Sequence, residues 1–196
     1  RSAGVFFIKT LYSILLCVLC LLTNTLFPFV PIQITLIDLV IEGYPSFFLS
    51  FLPDSRPVRT KFLPEAIRRA APNALAIGIC FLFYLVLHAM GIFGLSGEQT
   101  QANTLLFLLI GTVGLLGVFK MCLPFTKVKA FFAATSAIGF YFAIALCLWL
   151  QQHLLHLDIL HLAVPTGTTL LFFGLFAVVA ILTASILSRT LFKQKR

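Results

Sequence analysis

Charge is scarce in this sequence. Only 10% of its 196 residues are Asp, Glu, Lys or Arg, and only six are acidic. A soluble domain carries about 25% charged residues, so the deficit excludes an ordinary soluble domain. Sparse charge combined with 60% apolar residues also excludes intrinsic disorder. What is abundant is apolar sequence: the mean hydropathy of +1.07 and the 22 Phe are typical of a membrane protein that crosses the bilayer several times.

The apolar residues are grouped into segments long enough to cross a membrane. A spanning helix needs about 20 mostly apolar residues, and six stretches meet this requirement: about 5–27, 30–52, 73–93, 103–123, 130–150 and 164–188. The sequence therefore predicts an all-α polytopic membrane bundle of six transmembrane helices, forming one domain over residues 1–196. Between the second and third spans, the connection 53–72 has basic and apolar residues at helical spacing, which predicts an amphipathic helix at the membrane surface.

The basic residues indicate how the spans are oriented. With six spans, all 14 fall on one side: Arg1, Lys9, Arg56, Arg59, Lys61, Arg68, Arg69, Lys120, Lys127, Lys129, Arg189, Lys193, Lys195 and Arg196. The positive-inside rule makes that side cytoplasmic, together with both termini. The net charge of +8 would point to nucleic acid in a soluble protein. Here the basic residues separate apolar segments, so we expect lipid around the chain and no nucleic-acid partner.

Two carboxylates lie inside the second predicted span. Asp38 and Glu42 are about 10 and 16 Å along a helix that begins at Pro31, at about 1.5 Å per residue, which is near the middle of a core about 30 Å thick. An acidic side chain there costs roughly 2.5–3.5 kcal/mol. Their i, i+4 spacing puts both on one helix face, where two like charges cannot both ionise without a cation. We predict that the pair binds a proton or a metal ion.

The residues after Glu42 support the same prediction. Gly43 loosens the helix, and Pro45 has no amide hydrogen while its ring crowds the carbonyl of Ile41. We expect that carbonyl to be free to coordinate an ion beside the carboxylates, because interrupted helices with exposed carbonyls are a recurring way to bind cations in a membrane. Oxygen ligands suit hard cations such as Ca²⁺, Mn²⁺ or Mg²⁺.

The first span contributes a stripe of small and polar side chains. Thr10, Ser13, Cys17, Cys20 and Asn24 recur at steps of three and four, with Tyr12 beside them. One interpretation is close helix packing through small residues. The other places Tyr12 or Ser13 against the ion site, and the sequence leaves both open.

The segment around these carboxylates resembles a known family. Pro31-Ile32-Gln33, then Asp38-Leu39-Val40-Ile41-Glu42-Gly43, then Pro45 are similar to the pattern P-V-Q-x-x-x-x-N-L-V-T-D-G-x-P in the sixth transmembrane helix of P-type ATPases, especially calcium-pump-like bacterial cation pumps. RSAGVFFIKTLYS looks like the start of their fifth helix. The resemblance implies that the chain is a C-terminal fragment comprising the last six of ten helices, in a multi-pass protein of the bacterial plasma membrane.

The same resemblance implies ligands and partners. Two family ligands, an Asn and an Asp, map onto Asp38 and Glu42, and a Thr ligand maps onto Ile41. This implies one cation site, with Ca²⁺ or Mn²⁺ favoured, shared with a helix upstream of this chain. The phosphorylated motif D-K-T-G-T and the nucleotide-binding segment are absent from these residues. Catalysis, ATP and Mg²⁺ are therefore expected of the parent protein's upstream transmembrane and cytoplasmic domains, and no catalytic residue is expected here.

Two other functions fit the same residues. The chain could be a self-contained six-helix cation/proton exchanger or channel that uses the same carboxylates. It could also be a membrane scaffold subunit, in which Asp38 and Glu42 only hydrogen-bond a partner helix.

Overall fold

The structure is a computed structural model that describes residues 3–24, 27–51, 62–89, 99–123, 126–155 and 160–193. Six helices and no strands are present in these ranges, which confirms the all-helical prediction. Their bounds are α1, Ala3–Thr23; α2, which joins Pro31–Ile37, a π-helical segment Asp38–Gly43 and Tyr44–Ser50; α3, Phe62–Ala89; α4, Gln99–Cys122; α5, Lys127–Leu150, extended by a π-helical segment Gln151–Leu155; and α6, Gly167–Lys193.

Three helices of the described chain are long and apolar enough to cross a membrane: Gln101–Lys120 in α4, Lys127–His153 in α5 and Gly167–Leu187 in α6. Shorter apolar stretches, Lys9–Thr23 and Ala70–Val86, lie in α1 and α3. A membrane bundle is consistent with these lengths, and six crossings with cytoplasmic termini stay a prediction. The predicted connection 53–72 falls partly outside the described residues, and its later part is the beginning of α3, which continues through Pro72.

Helix α4 occupies the centre of the bundle and contacts all five other helices. Of its apolar span, 78% is buried inside the protein, against 22% in α5 and 17% in α6. Glycines allow this close packing. A Cβ on Gly111 would lie 2.1 Å from the Phe140 ring of α5, and one on Gly114 would lie 3.1 Å from the Ile41 side chain of α2. Helix α4 is therefore one of two helices on which α2 packs, the other being α5.

The end of the bundle where α2 begins is held by polar side chains. The buried Gln33 amide donates to the Leu160 carbonyl at 2.8 Å, and the Gln101 amide of α4 donates to the Val164 carbonyl at 2.8 Å. The Ala163 amide donates to the Thr104 hydroxyl at 3.0 Å. These bonds attach the segment before α6 to α2 and α4, and they fix the start of the helix that carries the carboxylates.

Candidate cation site between helices α1 and α2

The two carboxylates of α2 begin and nearly end its π-helical segment, Asp38–Gly43. The Tyr44 amide donates to the Leu39 carbonyl, five residues earlier, which is the hydrogen-bond pattern of a π-helix. Pro45 has no amide hydrogen to continue the ordinary pattern. The turn therefore widens instead of breaking, and such π-helical turns frequently occur at functional sites.

Asp38 forms an ion pair with a residue of another helix. The Lys9 ammonium of α1 donates to its Oδ2, and the two side chains are 31% and 35% exposed. The other oxygen, Oδ1, is buried and has no hydrogen-bond partner among the described residues. Oδ2 is thus paired with the Lys9 ammonium, while Oδ1 has lone pairs available to a further cation.

Glu42 lies deeper than Asp38, with only 5% of its surface exposed. It makes no ion pair with any residue that the structure describes. Removing an unpaired carboxylate from water is costly, so this side chain needs a cation or a proton. In the described ranges no third His, Cys, Asp or Glu joins the two acids into a larger metal-binding group. A cation bound here would need further oxygen ligands of another kind or from another segment.

Tyr12 and Ser13, the two α1 residues predicted to lie near the carboxylates, differ in burial. Tyr12 is 8% exposed and belongs to the buried core. Ser13 is half-buried, and no hydrogen bond joins it to a carboxylate in the part of the chain that the structure describes. Tyr12 is thus buried and Ser13 is only half-buried, and the role of either side chain at the cation site stays a prediction.

Ile41 anchors the π-helical segment to the centre of the bundle. Its side chain is 1% exposed, and its Cγ2 and Cδ1 would lie 3.1 and 3.2 Å from a Cβ on Gly114. With this side chain packed on α4, the positions of Asp38 and Glu42 on α2 are set by an apolar contact. The role of the Ile41 carbonyl as a ligand stays a prediction.

Sequence reasoning missed two features of this site. In the sequence, Lys9 indicates only how the spans are oriented, whereas in the structure its ammonium forms an ion pair with the Asp38 carboxylate of α2. Ser46, one turn after Glu42, is 8% exposed and its hydroxyl has no partner among the described residues. Extending the i, i+4 spacing of the acids by one step would have identified it.

Comparison with known proteins gives matches over most of the chain. It is 37% identical over 196 residues to a protein of Streptococcus pneumoniae named "Probable cation-transporting ATPase", covering 93% of this chain. It is 30% identical over 171 residues to the calcium-transporting ATPase CtpE of Mycolicibacterium smegmatis, covering 81% of this chain. The CtpE of Mycobacterium bovis is 35% identical over 115 residues, which is 53% of this chain. No family model matches the chain, and no solved structure matches it.

The matches cover only part of each relative. The chain spans 24% of the streptococcal protein, 21% of the first CtpE and 14% of the second. It is homologous to a segment of the P-type cation-transporting ATPases, which confirms the family predicted from the motif around Asp38. As such a segment it is part of a membrane protein.

Proposed function

We propose that this segment of a P-type cation-transporting ATPase supplies Asp38 and Glu42 as ligands for one transported cation. The observation that carries the proposal is the burial of Glu42, 5% exposed and without an ion pair in the described chain, in a π-helical turn of an apolar helix. Intramembrane acids are costly and are typically retained for transport. A transported cation offsets that cost whenever it occupies the site.

The proposed cation is Ca²⁺, with Mn²⁺ as the second choice. Carboxylate and carbonyl oxygens suit both ions, and two of the relatives are named calcium-transporting ATPases. Since the described residues supply only the two acids, we assign the other ligands to the Ile41 carbonyl and to upstream segments of the parent protein. Tyr12 would then form the apolar wall beside the ion.

The proposed mechanism is alternating access driven from outside this segment. ATP and Mg²⁺ would bind in other domains of the parent, because these residues contain no D-K-T-G-T motif. Conformational change would reach α2 through its contacts with α4 and α5, which hold both sides of the π-helical turn. Moving α2 by a small amount would change the distance between the carboxylates and their partner ligands, and so the affinity for the cation.

The test is to neutralise the carboxylates in the full-length protein. We expect Glu42→Gln, and Asp38→Asn with Glu42→Gln, to weaken cation affinity by at least the roughly 10- to 100-fold that loss of an outer-shell partner produces. Cation-stimulated ATP hydrolysis and uptake into vesicles would be measured with Ca²⁺, Mn²⁺, Mg²⁺ and K⁺. Glu65→Gln, which removes an acid predicted to lie outside the spans, is the matched control and should leave affinity unchanged.

Wild-type affinity in the correctly inserted double variant would contradict the proposal. The two acids would then have a role in assembly, as in the scaffold hypothesis.

A further inference from the structure

Ser46 lies on α2 about one turn after Glu42, in the α-helical part Tyr44–Ser50 that follows the π-helical segment. We propose that the Ser46 hydroxyl oxygen is a ligand of the transported cation, which Ser46 and Glu42 hold between them. The proposal rests on the proposed function, and it assigns to this chain one of the oxygen ligands that the two acids do not supply.

The Ser46 side chain is buried without a hydrogen bond. It is 8% exposed, and its hydroxyl has no partner among the described residues. Burying a hydroxyl without a partner is unfavourable, because the group loses its hydrogen bonds to water and gains none in exchange. A buried polar group of this kind in a native protein is typically satisfied by a bound ion or an ordered water, and here it lies next to a buried carboxylate that also needs a cation.

Hydroxyls before and after Ser46 on the same helix bond to their own backbone. Thr35 donates to the Pro31 carbonyl at 2.9 Å, and Ser50 donates to the Phe47 carbonyl at 2.6 Å. Such local bonds are the usual way in which a helical Ser or Thr satisfies its hydroxyl. Within the described chain Ser46 makes no bond of this kind, so both lone pairs of its oxygen are available to a cation.

The spacing of Glu42 and Ser46 suits a shared ion. Side chains one turn apart on a helix have Cβ atoms about 5–6 Å from each other. Ca²⁺ binds oxygen at about 2.3–2.6 Å, so two ligands on opposite sides of one ion are about 5 Å apart. A carboxylate and a hydroxyl at this spacing therefore both reach an ion between them. Asp38 lies two turns from Ser46, so Glu42 is the acid that the hydroxyl joins.

The first test removes the hydroxyl in the full-length protein, with Ca²⁺ as the probe. We expect Ser46→Ala to weaken equilibrium Ca²⁺ binding by at least about 10-fold, the lower end of the loss that follows removal of an outer-shell partner. Ser136→Ala in α5 is the matched control and should leave the affinity unchanged. Ser136 is also buried with no hydrogen-bond partner among the described residues, but the sequence has no acid within four residues of it.

The second test exchanges the oxygen for sulfur, which distinguishes a ligand from a packing residue. Thiolate ligands select Zn²⁺ over hard cations such as Ca²⁺, so Ser46→Cys should lower the Zn²⁺ concentration that displaces bound Ca²⁺. Ser136→Cys should leave that concentration at the wild-type value, and a merely structural role of Ser46 would do the same.

Three results would overturn the proposal. They are wild-type Ca²⁺ affinity in Ser46→Ala, an equal loss of affinity in Ser46→Ala and Ser136→Ala, and unchanged displacement by Zn²⁺ in Ser46→Cys. If Ser46→Ala does not fold, Ser46→Cys, which retains a side chain of similar shape, decides the question through the Zn²⁺ measurement.

Glu42→Gln shows which of the two proposals has failed. If it leaves Ca²⁺ affinity and transport intact, the proposed cation site is wrong. If it weakens Ca²⁺ binding while Ser46→Ala leaves the affinity unchanged, only the role of Ser46 is wrong.

Discussion

At the scale of single residues, helix packing depends on glycines at positions where a larger side chain would not fit. Gly111 of α4 lies against the ring of Phe140, which is fully buried in α5. A Cβ there would be 2.1, 2.4 and 3.0 Å from three ring atoms. A buried aromatic ring between two helices cannot move away without disturbing the core, so this glycine sets how closely α4 and α5 approach.

We expect Gly111→Ala to destabilise the protein by about 1–3 kcal/mol, the usual cost of overpacking a core. Gly174→Ala in α6 is the control, because nothing lies within 4 Å of a Cβ at that position. That variant should be neutral or more stable by roughly 0.5–1 kcal/mol, since alanine favours a helix. Thermal unfolding in detergent measures both. Equal stability of the two variants would show that the contact with Phe140 does not limit how closely α4 and α5 approach.

Of the single residues at the candidate site, only some could be predicted from the sequence. Asp38 and Glu42 were identifiable because a charge in an apolar segment stands out by itself. Lys9 was not, because a basic residue near the beginning of a span also fits the orientation rule, and only the packing of α1 on its neighbours decides which carboxylate it reaches. Whether Ser13 faces the carboxylates depends on how α1 is rotated about its axis, and the spacing of the small and polar residues in the sequence does not determine that rotation.

At the scale of elements, α2 is held on both sides of its π-helical turn. Gln33 fixes its beginning to the segment before α6. After the turn, the Tyr44 hydroxyl and the Thr135 hydroxyl of α5 are hydrogen-bonded at 2.9 Å, and the Phe48 ring stacks on Phe132 with centroids 5.0 Å apart. These attachments keep the wide turn in place, and they make α5 a route by which motion could reach Glu42.

We expect Tyr44→Phe to lower stability by about 0.5–1.5 kcal/mol, the net contribution of one hydrogen bond, and also to change cation affinity. Tyr141→Phe is the matched control, because its hydroxyl is hydrogen-bonded to Thr112 of α4 at 2.9 Å and not to a residue of α2 among the described residues. It should lose similar stability and keep wild-type affinity. Unfolding in detergent and cation-stimulated ATPase activity separate the two effects. An equal change of affinity in both variants would refute a specific role for the α2–α5 contact.

The sequence predicts only in part how α2 departs from a regular helix. Gly43 and Pro45 predicted that α2 departs from regular geometry near Glu42. They did not determine whether the helix breaks or widens, because that outcome depends on whether neighbours hold its two halves in line. The bonds of Gln33 and Tyr44 do so here.

At the scale of the whole molecule, composition predicted the helical class and the motif around Asp38 predicted the family. The order in which helices pack was not predictable, since every segment is apolar and a hydropathy pattern does not distinguish a lipid-facing side chain from one facing protein. Gly111 and Gly114 on α4 favour close packing, but they do not say that α4 meets all five other helices.

The six-span topology is tested by labelling. Ser55→Cys, between the second and third predicted spans, should react with a membrane-impermeant maleimide only after cells are permeabilised. Ser96→Cys, between the third and fourth, should react in intact cells, because consecutive loops lie on opposite sides. The unsubstituted protein, with its five native Cys, gives the background. Labelling of both positions from the same side would exclude the predicted topology.

The enclosure of α4 has a consequence for how lipid composition acts on the molecule. In the described chain, 78% of the apolar span of α4 is buried by protein, whereas only 22% of that of α5 and 17% of that of α6 is buried. Acyl chains that are too long or too short are accommodated by tilting or local bilayer deformation at the surfaces they touch. Hydrophobic mismatch therefore acts first on the outer helices, and α4 experiences it only as a change in the tilt of its neighbours.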